Sequence, residues 1–203
     1  MEISEQIKSI KGLFRLYMNG VAASSMREKG LDYKVNWGIS QVDLRGIASR
    51  YDKNTALAVA LWNEKSRECK LLGTMLMPCD NMDLSMAKTW ADGISSTEMA
   101  EAAAFNLFQY IKDAEQLAVM LLGGDCLHRI AAYHLMCRLL KRGVCPRQST
   151  YGELFRHAAD DLKSSDRQLV HSSVNCLGFI AFSDEKPAIK AEQLLKEAGF
   201  GDL

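Results

Sequence analysis

Apolar residues recur at three- and four-residue spacing through almost the whole chain, and no run alternates cleanly every second residue between turn-forming residues. A chain patterned this way buries one stripe per helical turn, so it folds as helices and not as sheets. The first stripe is Ile3, Ile7, Ile10, Phe14 and Tyr17, and it is expected to stop at Asn19-Gly20, residues suited to a left-handed C-terminal cap. A short second helix should end at Gly30, after which LDYKVNWGI breaks the pattern and reads as a loop. Ser40 with Asp43 resembles a capping arrangement for a helix carrying Leu44, Ile47, Ala48 and Tyr51, and Asn54 or Thr55 should cap a helix through Trp62. Helix then continues through SRECKLLGTMLM as far as Pro78 and through DLSMAKTWADG to Gly93.

AEQLAVMLL, closed by Gly123-Gly124, and CLHRIAAYHLMCRLLK, closed by Gly143, are apolar through most of their circumference, which predicts central helices. The last three segments have polar starts, with Asp166 as a cap and Pro187 in a first turn. About a dozen helices joined by short connections must pack as antiparallel neighbours, which favours a solenoid of HEAT-like helix pairs over a single bundle. With 203 residues, 48% of them hydrophobic, and no linker or low-complexity stretch, one domain over residues 1–203 is expected.

The stretch SSTEMAEAAAFNLF, Ser95 to Phe108, sets two glutamates three residues apart at the head of an alanine-rich run. Ser95 with Glu98 fits the S-x-x-E capping box, which accounts for Glu98 without chemistry. Glu101 falls instead on the margin of the buried stripe of Ala100, Ala104, Leu107 and Ile111. It is either a solvated glutamate lying along Phe105 or paired with Lys112, or a carboxylate at the lip of a groove. In the second case it would stabilise positive charge or orient a water.

Several function classes lack support. Twenty-five basic residues balance twenty-five acidic ones, so no global field draws nucleic acid from a distance, and any such binding must be local. No apolar run approaches the roughly 18 residues needed to cross a bilayer, and the start MEISEQIKSIKGLF has acidic residues early and no unbroken apolar segment, so a soluble chain without export is expected. Six cysteines without a CxxC pair suit a reducing cytoplasm. Cys126, His128, His134 and Cys137 are soft-ligand types, but Cys126 and His134 lie about 12 Å apart along one helix, which no tetrahedral metal spans. GxxxxGK[ST], GxGxxG and G-x-S-x-G are all missing. Trp62 and Trp90 fall on apolar stripes and read as packing residues, while Trp37 stands in the loop before Gly38.

Three blocks, over roughly residues 30 to 182, together resemble the DNA alkylation repair family of HEAT-like glycosylases. NWGISQVDLRGIA is similar to that family's aromatic-Gly-Val/Ile turn and DLR-containing helix. ALAVALWNEKSRECKLLGTMLM is similar to its leucine-rich helix ending in LW, followed by an (R/H)E pair. The third block runs from Thr89-Trp90 through the glutamate stretch to HRIAAYHL. The resemblance implies an all-α, right-handed superhelix of HEAT-like (ARM-type) repeats whose concave face holds duplex DNA. It also implies hydrolysis of the N-glycosidic bond of a cationic alkylated purine without metal or organic cofactor.

Carried over by alignment, the family's catalytic carboxylate falls on Glu101, its partner tryptophan on Thr97, a motif asparagine on Asn106 and a second aromatic on Cys176. An arginine in the following helix matches Arg129, implied as a phosphate contact. Arg138, Lys141, Arg142 and Arg147 extend a local basic concentration around it, and Trp37 joins them as a candidate DNA contact. The alternative function is a non-catalytic helical scaffold that binds DNA structure or a protein partner.

Overall fold

The computed structural model describes residues 2–31, 33–183 and 186–201. Among these residues are twelve α-helices, two short 3-10 helices and no strand, with Val35 and Ser66 meeting in an isolated parallel bridge. The chain divides into two compact units, Met1–Met82 and Asp83–Leu203.

The first unit holds α1 (Ile3–Tyr17), α2 (Gly20–Glu28), α3 (Gln41–Ala48), α4 (Thr55–Trp62), α5 (Arg67–Leu76) and a 3-10 turn at Cys79–Asn81. Ser40 and Asn54 cap α3 and α4 as their sequence positions predict, accepting from the backbone N–H of Asp43 and Leu57. Asn19 departs from expectation. It is extended (φ −134°), and its side chain accepts from Ala22 N, so it starts α2 instead of closing α1. An asparagine between two adjacent helices can serve either end, and here the free N–H groups of the following helix take its oxygen.

A buried polar hub fixes the loop before α3. Glu68, fully buried, accepts the backbone N–H of Trp37 at 3.1 Å and of Ile39 at 3.5 Å, the Ser66 hydroxyl at 3.1 Å and the Arg67 guanidinium at 3.0 Å. Arg67, 1% exposed, donates its guanidinium to Ile39 O at 3.0 Å and its backbone N–H to Val35 O at 2.9 Å. Burial of this pair is tolerable because the charges neutralise each other and the remaining hydrogen-bonding capacity is taken by the loop backbone. Gly38 lies inside the loop at φ +69°, where a Cβ would sit 2.1 Å from Asn19 O, so only glycine fits.

The second unit holds α6 (Leu84–Asp92), α7 (Thr97–Asn106), a 3-10 turn at Phe108–Tyr110, α8 (Ala114–Leu122), α9 (Cys126–Lys141), α10 (Gln148–Asp161), α11 (Arg167–Ala181) and α12 (Pro187–Glu197). These form two layers. Helices α7, α9 and α11 pack side by side, α6, α8, α10 and α12 follow one another in the second layer, and α8 packs on α9 as α12 does on α11. That is the stacked-pair arrangement expected from short connections.

The start of α7 also differs from the predicted capping box. Ile94 N–H still bonds Ala91 O at the tail of α6, which leaves Ser95 in the connection. Ser96 is therefore the cap, accepting from Met99 N at 3.2 Å, and Glu98 lies in the first turn of α7. At the other end α7 stops at Asn106, short of Ile111, because the Gln109 side chain takes the Phe105 carbonyl and the chain tightens into the 3-10 turn.

Candidate nucleic-acid interface

Helices α7, α9 and α11 each carry a polar and aromatic line at helical spacing. On α7 it is Glu101 and Phe105; on α9, His134, Arg138 and Lys141; on α11, His171, Asn175 and Phe179, continued by Phe182 just past the helix end. Residues three or four apart on a helix share a face, so each line lies on one side of its helix. The lines meet in register. The Glu101 carboxylate acts on His134, together with Arg138 and His171, the Arg138 guanidinium lies 4.5 Å above the Phe105 ring, and the Lys141 ammonium lies 5.5 Å from the Phe179 ring. Because these pairs advance in step from one helix to the next, the three helices run parallel and present one composite surface.

Just beyond α9, Arg142 continues the pattern, with its guanidinium 4.7 Å above the Tyr110 ring and a hydrogen bond to the Gln109 carbonyl. Three cations thus rest on three aromatic rings, and Glu101 is the acid beside them. Cation–ring contacts at exposed sites contribute about 0.5–1 kcal/mol each and restrict long side chains that would otherwise sweep freely. Phe182 is 83% exposed, a large apolar surface at the end of the α11 line. His171 Nε2 lies 3.0 Å from the Asn175 amide nitrogen. Burial pushes His134 below its ordinary value, and Arg138 and His171 add to that effect against the opposing pull of Glu101, so it stands neutral at pH 7.

The remaining sequence-derived site residues are distributed as follows. Thr97 opens α7 one turn before Glu101 and is half-buried, and Asn106 closes the same helix. Cys176 is fully buried beneath the α11 line, where its thiol hydrogen-bonds Cys137 of α9. That bond lowers the Cys137 pKa, and with burial it holds the Cys176 thiol well up. Arg129 turns into the layers, pairing at 2.8 Å with Asp161, which is 2% exposed and also accepts the Tyr133 hydroxyl at 2.6 Å. Burial and that carboxylate hold the Tyr133 phenol protonated. Arg147 sits at the head of α10, where its backbone N–H and guanidinium, with the Thr150 hydroxyl, converge on Glu115. Trp37 belongs to the first unit, half-buried with its ring 6.2 Å from Phe14.

Glu101, Thr97, Arg138, Lys141 and Arg142 therefore come together, while Arg129, Arg147 and Cys176 stand apart from them. Sequence reasoning missed His134, His171, Phe105, Phe179 and Phe182 as parts of one surface. The signal was present as the polar stripe of α9 and the His-Asn-Phe spacing of α11. Reading it needed the knowledge that these two helices are neighbours. Among the described residues no three His, Cys, Asp or Glu side chains converge as a metal would require. His128, from the soft-ligand cluster, is held by Asp125 at 2.8 Å and Asp92 at 3.1 Å.

Stacked helix pairs with a cationic, aromatic face define an all-helical repeat protein. The chain belongs to the DNA alkylation repair enzyme family, whose profile matches residues 11–177. It is similar, with a TM-score of 0.81 and 18% identity over 98% of this chain and 83% of the other, to a solved structure described as a new family of proteins related to the HEAT-like repeat DNA glycosylases with affinity for branched DNA structures. At that identity the likeness carries the fold, which is the HEAT-like one the sequence predicts. No curated protein matches the chain. No helix among the described residues is long and apolar enough to cross a membrane.

Proposed function

We propose that this chain binds DNA through the exposed face of α7, α9 and α11. Arg138, Lys141 and Arg142 contact backbone phosphates, and Phe105, Phe179 and Phe182 meet sugars or unstacked bases. The observation that carries this reading is the set of three cations held over three rings along one face. Side chains already fixed lose little freedom on binding, and a mixed surface of charge and ring suits DNA whose bases are partly unstacked. The solved relative's affinity for branched DNA points the same way, since a branch point exposes base faces that a continuous duplex hides.

A four-way DNA junction in a fluorescence anisotropy titration tests this across a range of salt. Removing one cation from a phosphate should lower the slope of log K against log salt by about 0.9, so R138Q/K141Q should lower it by about 1.8. An unchanged slope, or no junction binding by the native chain, refutes the reading.

Hydrolysis is a second reading, and the exposed position of Glu101 beside Arg138 and a neutral His134 favours it. A carboxylate there would stabilise the oxocarbenium character that develops as a cationic alkylated base leaves. Thr97 and the buried Cys176 offer no aromatic wall to hold the sugar, so any wall must come from Phe105 or Phe179. Release of base from methylated duplex DNA by the native chain, abolished by E101Q, supports hydrolysis. No release from either protein leaves the face as a binding surface alone.

A further inference from the structure

The first unit carries a cationic groove that neither the family motifs nor the α7–α9–α11 face accounts for. It is a cavity of about 670 Å³ along one side of α1, lined by Ser4, Ile7, Lys8, Lys11, Gly12 and Arg15, with Glu64 on its far side. On a helix, residues 4, 8, 11, 12 and 15 fall on a single stripe, so the three cations form one line. Lys11 pairs with Glu64 at 2.8 Å and takes up the only acidic charge among the described lining residues. Lys8 and Arg15 are exposed and have no acidic partner among the described residues. The lining therefore keeps a positive surplus directed at open solvent. Gly12 forms the floor, and a Cβ there would meet no atom within 4 Å, so the absent side chain keeps the groove open.

We infer that this groove is a second DNA site, which takes the phosphates of one strand. Lys8 and Arg15 lie about 10 Å apart along the helix at 1.5 Å per residue. Phosphates recur along one strand at intervals shorter than this span, so the two cations can each meet a phosphate of the same strand. The opening suits a charged backbone better than an apolar segment, because Ile7 is the only large apolar residue among the described residues that line it. A phosphate site in the first unit, besides the face in the second, gives the chain contacts for DNA with more than one arm. The inference rests on the reading that the chain binds DNA.

The test uses the full chain and the same four-way junction. K8Q/R15Q removes both unpaired cations without disturbing a packed residue. It should lower the salt slope by about 1.8 and weaken binding at moderate salt roughly tenfold or more. G12E places a carboxylate in the open floor, should fold at least as well as the native chain because glycine is a poor residue in a helix interior, and should weaken junction binding in the same direction. If both variants bind with native affinity and slope while R138Q/K141Q is impaired, the groove is not a DNA site and the α7–α9–α11 reading stands. If the native chain does not bind the junction, both readings fall.

Discussion

Glu68→Gln separates charge from hydrogen bonding in the first unit. The amide oxygen can still accept from Trp37 and Ile39, and the Ser66 hydroxyl can reverse and accept from the new NH2 group, so the hydrogen bonds are nearly all kept. What disappears is the negative charge beside Arg67, whose guanidinium is 1% exposed and cannot shed its proton. Breaking a buried pair by removing one partner costs about 3–5 kcal/mol. For a chain of this size that corresponds to a fall in Tm of roughly 6–20 °C, followed by circular dichroism or calorimetry. A double-mutant cycle with Arg67→Met should return a coupling above about 1 kcal/mol. The double variant should not regain native stability, because Ile39 O also loses the donor that Arg67 provided. A Tm within about 2 °C of native for E68Q, or a coupling near zero, would refute the idea that charge neutralisation holds this hub together.

Gly38→Ala should cost at least about 2 kcal/mol from the left-handed backbone and the backbone overlap with Asn19, read as a lower urea midpoint. Ser96→Ala should cost about 1 kcal/mol through loss of the helix cap, whereas Ser95→Ala should stay within about 0.5 kcal/mol, and the same urea titration distinguishes them. His134→Gln should flatten the acid side of the stability profile. His134 faces Glu101 from α7, Arg138 on its own helix and His171 from α11, and burial sets its folded pKa below the ordinary histidine value of 6.5. As pH falls below about 6.5 the unfolded chain takes up a proton that the folded chain resists, so native stability drops there, while above that value the group contributes no pH dependence. The native protein should lose Tm faster than the variant between neutral pH and about pH 5, and parallel curves would count against the assignment.

Helix starts were the most legible feature, because a cap is a local event. Ser40, Asn54 and Asp166 lie directly before apolar repeats, and their side chains reach N–H groups two or three residues away. The cap at α7 was misplaced by one residue because two serines stand together, and the choice between them depends on how far α6 runs. The site was less legible for a different reason. Arg129 and Arg138 are equivalent as residue types, but one turns toward Asp161 on α10 and the other toward Phe105 on α7. Cys176 looked like a candidate for a wall position, yet its place on α11 points it at Cys137 beneath the surface. Such assignments depend on which helices pack together, and helical periodicity gives the buried face of each helix without naming the neighbour.

Two of the three blocks that carry the family resemblance have a physical role that bears on how much function they convey. NWGI and the Arg-Glu pair are two halves of one buried structure: the loop offers the N–H groups of Trp37 and Ile39 with the carbonyls of Val35 and Ile39, and Arg67-Glu68 satisfies them. Neither half is stable alone, since an unpaired Glu68 or an unsatisfied loop backbone would each cost several kcal/mol in that interior. Matching these blocks is therefore strong evidence for the fold and says little about the reaction, because none of their buried polar atoms is available to DNA. On the function proposed above, binding falls to the exposed line of α7, α9 and α11, where substitutions alter what is bound without threatening the core. On that line this chain presents a glutamate, two histidines and ring-stacked cations, with Thr97 and the buried Cys176 at the positions that the sequence resemblance aligns with aromatic walls. The DNA-binding part of the family's function can survive that exchange more readily than the chemical step, because phosphate contacts tolerate small displacements and a catalytic carboxylate displaced by about 1 Å does not.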